Sequence, residues 1–133
     1  MTNFYLATTP EHYKKIYAFV RKVDPTWEGK LIIPTIRAER DGEIVGVIGR
    51  NENKKAVIAG CLAVELDPRK GILAIKLVEV WEAMLTRMGC TEYLIPIDKA
   101  NNRMQTAFDR LGGLKSYAED EKYYWYKRSI LNA

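Results

Sequence analysis

A basic, glycine-containing segment, Leu66-Asp67-Pro68-Arg69-Lys70-Gly71-Ile72-Leu73-Ala74, joins an apolar run to a long stretch with helical spacing. Backbone N–H groups at a helix N-terminus have no partner within the helix, and the helix dipole adds partial positive charge there. Arg69 and Lys70 add formal charge beside these groups. The segment therefore predicts a phosphate-binding turn between a strand and a helix, although an ordinary solvated turn fits the same residues.

The side chains that most often act as nucleophiles, bases or metal ligands are sparse in this sequence. His12 is the sole histidine, and Cys61 and Cys90 form no C-x-x-C pair. Serine-histidine or cysteine-histidine catalysis would therefore lack a base, and a zinc site is not expected. Cys61 lies in an apolar run, which favours a buried thiol that packs as a small hydrophobe. Any chemistry must come from carboxylates, tyrosines, the backbone or a cofactor.

Length and composition indicate one ordinary globular domain over residues 1–133. The chain is 47% hydrophobic and 29% charged, and its length suits a single hydrophobic core. It has no apolar stretch of about eighteen residues, and Met1 to Tyr5 lacks the basic and apolar regions of a signal peptide. We therefore expect a cytoplasmic protein without a membrane partner.

The net charge of +4 suits a polyanionic partner, which is either a nucleic acid or a phosphorylated cofactor. The basic pairs Lys14-Lys15, Lys54-Lys55 and Lys127-Arg128 stand far apart along the chain. Such scatter is typical of a solvated surface, so a nucleic-acid partner is not favoured.

Three segments show helical spacing of apolar residues between recognisable boundaries. The first begins at Thr8-Thr9-Pro10-Glu11, where a hydroxyl cap precedes an early proline and an acid, and ends at Asp24-Pro25. The second follows the basic segment and stops at Gly89. The third runs from a cap within Asn101-Asn102 to Gly112-Gly113.

The remaining apolar segments have the alternation or continuity of strands. Asp41-Gly42 supplies the positive φ angles of a two-residue hairpin turn. The strand-helix-strand-helix order in the second half predicts a right-handed crossover and a parallel strand pair. Thr26 to Pro34 is a connector in which a short helix is one option. Strands are predicted at Phe4 to Ala7, Thr35 to Arg40, Glu43 to Arg50, Ala56 to Leu66 and Tyr93 to Ile97, with two more about Glu119-Asp120-Glu121.

Over nearly the whole chain this order resembles the GNAT superfamily of N-acetyltransferases, an α/β (α+β) fold with a central mixed sheet of six to seven strands flanked by helices. The family's pyrophosphate loop follows Gln/Arg-x-x-Gly-x-Gly/Ala. Arg69 and Ala74 fit this pattern, but Ile72 stands where the first glycine is usual, and Gly71 comes one residue early. A second segment resembles the family's Asn-x-x-Ala-x-x-x-Tyr-Glu-Lys-Leu-Gly-Phe, with Asn101, Phe108, Asp109, Arg110, Leu111 and Gly112 in register.

The resemblance implies a site for acetyl-CoA as co-substrate. Loop amides would hold the pyrophosphate, strand backbone would pair with the pantetheine amides, and Asn101 would contact the same arm. Phe108 occupies the place of a tyrosine that often protonates the departing thiolate, so that acid is missing and Phe108 is expected to pack beside the cofactor. The implied cofactor-binding residues are Val64, Leu66, Arg69, Lys70, Gly71, Ile72, Leu73, Ala74, Asn101 and Phe108.

Pro96 lies inside a predicted strand and cannot donate a ladder hydrogen bond. It fits the parted central strands of the family, and it fits an edge strand equally. Glu65, at the end of the preceding strand, is the candidate base for an ammonium group, with a solvated strand-end glutamate as the other interpretation. Glu39 and Glu43 are reserves. The candidates to replace the missing acid are Tyr117, Tyr123, Tyr124 and Tyr126, which also fit sheet packing.

Taken with the resemblance, the residues predict an acetyl-CoA-dependent N-acetyltransferase that acts by direct attack of a primary amine on the thioester, without a metal. The acceptor amine is a small molecule or a peptide, and a homodimer is one option that the sequence leaves open. The alternative is a catalytically weak binding module of the same fold, with a protein or nucleic-acid partner.

Overall fold

The computed structural model describes residues 1–65, 70–112 and 114–130, with the backbone alone at 70 and 114–119. Within them the chain forms three helices and seven strands. The helices are α1 (Pro10–Val23), α2 (Lys70–Arg87) and α3 (Asn102–Arg110). The strands are β1 (Thr2–Leu6), β2 (Leu31–Arg40), β3 (Glu43–Asn51), β4 (Ile58–Val64), β5 (Glu92–Asp98), β6 (Leu114–Glu119) and β7 (Tyr123–Ser129).

All seven strands join one sheet in the order β1-β2-β3-β4-β5-β7-β6. Each neighbouring pair is antiparallel except β4 and β5, which run parallel and are connected through α2. The crossover, the parallel pair and the mixed α/β fold predicted from the sequence are therefore confirmed.

Local sequence signals place the helix boundaries. Thr9 and Asn101 each accept a hydrogen bond at 3.2 Å from the backbone N–H three residues later, so both predicted N-caps form. Gly89 and Gly112 have φ angles of 83° and 82° just past α2 and α3. This left-handed region is open to glycine without a steric penalty, which explains why both helices stop there.

The predicted hairpin turn forms at Asp41 and Gly42, whose φ angles are 54° and 78°. The connector after α1 differs from one sequence option, because no helix forms between Thr26 and Lys30. Instead β2 begins early, at Leu31, whose N–H donates to the Tyr17 hydroxyl on α1 at 3.0 Å.

At its start β4 is shorter than the predicted strand from Ala56 to Leu66. The Asn53 side chain accepts hydrogen bonds from the backbone N–H groups of Lys55 and Ala56 at 2.8 and 3.0 Å. These bonds hold residues 53–56 in a turn, so the strand begins at Ile58.

The two faces of the sheet bury separate apolar clusters. The larger cluster, beneath α2 and α3, includes the fully buried side chains of Trp81, Tyr93 and Phe108, and the smaller one lies beneath α1. Trp81 donates from Nε1 to the Pro34 carbonyl at 2.9 Å and meets Tyr93 edge-on with ring centroids 4.8 Å apart. Trp81 therefore packs in the core between β2 and β5.

A polar network spans the elements around the larger cluster. Arg128 on β7 donates from Nε and Nη2 to the two Glu82 carboxylate oxygens on α2, at 3.1 and 3.3 Å. Its Nη1 donates to the Leu111 carbonyl at the end of α3, and the Tyr93 hydroxyl on β5 donates to Glu82 at 2.5 Å. Burial first, and the Glu82 charge second, raises the pKa of Tyr93, so its hydroxyl stays protonated and remains a donor. One carboxylate thus joins α2 to both β5 and β7.

Removing the charge of Arg128 should destabilise the folded protein far more than removing the charge of its neighbour Lys127. The Arg128–Glu82 side chains are 17% and 13% exposed, whereas the Lys127–Glu92 pair is 37% and 52% exposed. We expect Arg128→Met to lower the free energy of unfolding by about 3 kcal/mol, because Glu82 loses its buried partner. Lys127→Met should lower it by less than about 1 kcal/mol. Urea unfolding of both variants measures the difference, and equal losses would contradict a dominant role for the Glu82 network.

Candidate active site

Strands β4 and β5 pair at a single register position and then separate. Ile58 lies opposite Leu94, whose N–H donates to the Val57 carbonyl at 2.9 Å. Because alternate residues of a strand direct their backbone groups to the same side, Pro96 also turns its backbone towards β4. Beyond the paired position this edge of β5 therefore faces a gap.

The opposite edge of the gap is formed by β4. Glu65 N–H donates to the Val45 carbonyl on β3 at 3.0 Å. By the same alternation, the preceding residue Val64, and Leu62 before it, direct their N–H and C=O groups away from β3 towards β5. These backbone groups form one wall of the gap and are available to a bound molecule.

Pro96 is suited to its place beside the gap. It lies on β5, an interior strand of the sheet, and stands opposite Trp125 in the β5–β7 register. The edge-strand interpretation of Pro96 is therefore wrong. Since its nitrogen faces the gap, the missing N–H removes no hydrogen bond from the pairing with β7.

A β-bulge shapes β4 at the start of the gap. Arg50 pairs with Ala59 and Gly49 with Cys61, so Gly60 is the extra residue on β4. The Gly60 carbonyl accepts a hydrogen bond from Trp27 Nε1 at 2.8 Å. A Cβ at Gly60 would lie 2.8 Å from the Asn51 Cβ and 3.1 Å from its backbone N, so the bulge requires glycine.

A cavity of about 790 Å³ occupies the gap. This volume lies within the range of small-molecule binding sites. Backbone of both strands lines it, including Leu62, Val64 and Pro96. The first turns of α2 and α3 border it, as do the end of α1 and the connector that follows α1.

The part of the cavity beside the first turns of α2 and α3 has the features of an anion site. Gly71 and Ala74 from the first turns of α2, and Asn101 and Arg103 at the start of α3, line it. Two helix N-termini thus border one space, and the first-turn N–H groups of a helix have no partner within the helix itself. A Cβ at Gly71 would lie 3.3 Å from Arg103 Cδ, so the Arg103 side chain lies over the start of α2.

The predicted cofactor-binding residues are distributed unevenly about this cavity. Val64, Gly71, Ala74 and Asn101 line it, and the Asn101 side chain also caps α3. Leu66 and Arg69 lie outside the described residues, as does the side chain of Lys70. The remaining three do not line the cavity: Ile72 is 60% exposed, Leu73 packs against the larger cluster, and Phe108 is fully buried with its ring centroid 6.0 Å from that of Tyr126.

The carboxylates proposed as bases lie on or directly after the interior strands β2, β3 and β4, and none of them lines the cavity. Glu65 follows β4 directly, and its Oε1 is 4.0 Å from Arg40 Nη1. Glu39 is bound by Arg37 at 2.7 Å, and Glu43 is exposed at the hairpin turn. Glu65 is thus adjacent in sequence to the gap-facing Val64 without lining the cavity itself.

Of the tyrosines considered as acids, Tyr123 lines the cavity. Tyr126 is fully buried, and burial, followed by the nearby Asp109, raises its pKa to about 12. The side chain of Tyr117 lies outside the described residues.

Several cavity residues were not identified from the sequence as site residues. Trp27 binds the bulge and lines the cavity, and Asp24 and Asp98 contribute carboxylates. Arg103 adds a cation beside α2. Arg103 is the second residue of α3 and matched no sequence motif, whereas Asp98, a carboxylate at the end of β5, is a signal that the sequence offers.

Comparison of the sequence with family models and with curated proteins gives no match. Comparison of the fold does. The ribosomal-protein-S18-alanine N-acetyltransferase from Escherichia coli is similar with a TM-score of 0.73 at 13% identity, over 100% of this chain and 96% of that one. An acetyltransferase of the GNAT family from Staphylococcus aureus Mu50 gives 0.73 at 11% identity, over 98% and 99%. The PaiA N-acetyltransferase from Thermoplasma acidophilum, solved in complex with coenzyme A, gives 0.73 at 8%, over 98% and 99%. The predicted resemblance to the GNAT superfamily is therefore confirmed at the level of the fold.

The described part of the chain offers neither a metal site nor a membrane-spanning helix. No cluster of three or more His, Cys, Asp or Glu side chains there has the arrangement of a metal site. None of the described helices is long and apolar enough to cross a membrane.

The thiol of Cys61, a cavity-lining residue, should be chemically inert in the folded protein. Burial raises the pKa of this thiol to about 12, despite a hydrogen bond with the Gly49 backbone. At pH 8 the thiolate fraction is then about one in ten thousand, against roughly one in four for an exposed thiol. We expect iodoacetamide at pH 8 to leave Cys61 unmodified in the native protein and to modify it in urea. Peptide mass spectrometry distinguishes this site from Cys90, and rapid native alkylation of Cys61 would contradict its burial.

Proposed function

We propose that this chain is an acetyl-CoA-dependent N-acetyltransferase of the GNAT superfamily, acting on a primary amine by direct transfer. The observation that carries the proposal is the parting of β4 and β5 over a cavity bordered by two helix N-termini. Acetyltransferases with the same fold, one of them bound to coenzyme A, support it.

The residues of the cavity fit a long, phosphorylated and amide-containing ligand. Val64, followed by Leu66, would pair its free backbone groups with the pantetheine amides, much as an added strand pairs with a sheet edge. The start of α2, from Lys70 to Ala74, would hold the pyrophosphate through its N–H groups, with the preceding Arg69 and with Arg103 as further cations. Asn101 would contact the pantetheine arm, while Phe108 on α3 packs into the larger apolar cluster and holds that helix beside the cavity.

When bound, acetyl-CoA supplies an acyl group activated as a thioester. The acceptor amine loses its proton to Glu65, directly or through a water molecule, and attacks the carbonyl carbon. A backbone N–H of β4 beyond the bulge donates to the carbonyl oxygen as negative charge develops there. The C–S bond then breaks, the thiolate departs, and the positively charged nitrogen releases its second proton to solvent, which leaves the neutral amide. Neither a covalent enzyme intermediate nor a metal is required.

Coenzyme A should stabilise the folded protein, because a ligand held only by the native state raises the melting temperature. Arg103→Gln should weaken coenzyme A binding about tenfold, since it removes one charge-assisted phosphate contact. The matched control is Arg87→Gln, an exposed arginine in the last turn of α2, which should leave affinity within about twofold. Calorimetric titration at low and moderate salt measures both. No binding at millimolar coenzyme A would refute the proposed function, and equal effects of the two variants would place the phosphates elsewhere.

Glu65→Gln tests the proposed base. Turnover should fall by roughly a hundredfold or more while affinity for coenzyme A stays unchanged, following the usual size of general-base contributions. Glu79→Gln, an exposed position on α2, serves as the control. Screening amines, peptides and aminoglycosides for release of free thiol provides the acceptor for this assay. A minor loss would move the role to a water molecule, to Glu39 or Glu43, or to the cavity carboxylates Asp24 and Asp98.

A further inference from the structure

A second cavity, of about 470 Å³, lies at the opposite end of the β4–β5 pair. It is lined by the turn between β3 and β4 and by the turn between α2 and β5. Val57 and Leu94, which form the hydrogen bond joining β4 to β5, line it as well. Because this paired position separates the two cavities, the second one is distinct from the gap that forms the candidate active site.

The side chains of the second cavity are strongly basic. Arg50, Lys54, Lys55 and Lys127 line it, and the one carboxylate among its lining residues is Glu92, which pairs with Lys127 at 3.1 Å. In the sequence Lys54-Lys55 and Lys127 are more than seventy positions apart, and the fold brings them to one space. A single carboxylate against four cations leaves a net positive field within a small volume.

Part of this positive charge belongs to a partly buried side chain, that of Arg50. Its Nε is shielded from solvent and has no hydrogen-bond partner among the described residues. Buried polar atoms nearly always have a partner, and a buried donor on a cation is especially unfavourable when unsatisfied. An anion in the cavity would supply an acceptor for the guanidinium, whose planar array of donors matches phosphate and carboxylate oxygens.

The end of α2 offers a competing explanation, because carbonyl groups at a helix C-terminus attract cations. Here, however, those carbonyls already accept backbone hydrogen bonds. Met88 N–H donates to Met84 at 3.1 Å, and the N–H groups of Gly89 and Cys90 donate to Thr86 and Leu85 at 3.0 and 2.9 Å. The closing turn of α2 therefore satisfies the carbonyls of Met84, Leu85 and Thr86 with its own N–H groups rather than with the basic side chains.

We propose that this second cavity binds a small anion carrying two or more phosphate groups. Four cations exceed what a single monovalent anion engages, and the volume matches a small molecule rather than a folded partner. Binding would bring Arg50 and Lys127 from the sheet, and Lys54 and Lys55 from the turn, onto the same phosphate chain. The site makes no use of the residues assigned to acetyl-CoA.

Calorimetric titration with inorganic triphosphate tests the proposal, in 50 mM and 150 mM salt and with or without saturating coenzyme A. The wild-type protein should bind one triphosphate with coenzyme A present, and more weakly at the higher salt. Lys54→Ala/Lys55→Ala should weaken binding about tenfold or more, since two charge-assisted contacts are lost. Both lysines are exposed, so the fold should survive their replacement.

The matched control is Lys14→Ala/Lys15→Ala, which removes the same charge from exposed positions on α1 and should change affinity by less than about twofold. Equal weakening by the two pairs would show attraction to net charge alone and overturn the proposal. Loss of triphosphate binding when coenzyme A is added would place the anion in the active-site cavity and also overturn it. If coenzyme A itself fails to bind, the proposed function fails, while the comparison of the two lysine pairs without coenzyme A still decides the second site.

Discussion

The incomplete pairing of β4 and β5 is the constraint on which the rest of the site depends. Two parallel strands in the middle of a sheet would normally share hydrogen bonds along their length, since unpaired buried backbone groups are unfavourable. Here the two strands pair at one position, where Ile58 lies opposite Leu94, and then diverge. Val64 and Pro96 therefore direct backbone groups into a gap, where the proline needs no donor and Val64 can pair with a ligand. The bulge at Gly60, fixed by Trp27, turns β4 at the point where pairing ends.

A sheet divided in this way needs another connection between its halves, and α2 provides it. Trp81 hydrogen bonds to Pro34 on β2 at 2.9 Å and packs edge-on against Tyr93 on β5. The next residue of the helix, Glu82, binds Arg128 on β7, which also holds the end of α3 through Leu111. The larger apolar cluster is continuous across both halves. Side-chain packing and the Glu82 network thus replace the backbone hydrogen bonds that β4 and β5 do not form. The two halves of the sheet stay together although the gap lies between them.

The sequence predicted those features whose causes are local. Thr9 and Asn101 cap their helices through bonds to residues three positions away, and Asp41-Gly42 forms its turn from its own backbone preferences. The order of these elements was sufficient to predict the fold. The bulge at Gly60 depends instead on Trp27, thirty-three positions distant, and the early start of β2 depends on Tyr17. The grouping of Lys54, Lys55 and Lys127 likewise arises from tertiary structure, so charges that are dispersed along the chain form one cavity.

The site also bears on why a phenylalanine is tolerated where the family resemblance places a tyrosine. Phe108 is fully buried against Tyr126, within the cluster that holds α3 beside the gap. Tyr126 is a poor substitute acid, because burial and Asp109 raise its pKa to about 12, well above the pKa near 8.5 of a departing alkyl thiol. A thiolate with such a pKa leaves readily at neutral pH without receiving a proton in the same step. Under the proposed function, catalysis therefore depends on positioning the amine and polarising the carbonyl more than on an acid. Those tasks belong to the bulge, the free backbone of β4 and the carboxylates around the cavity.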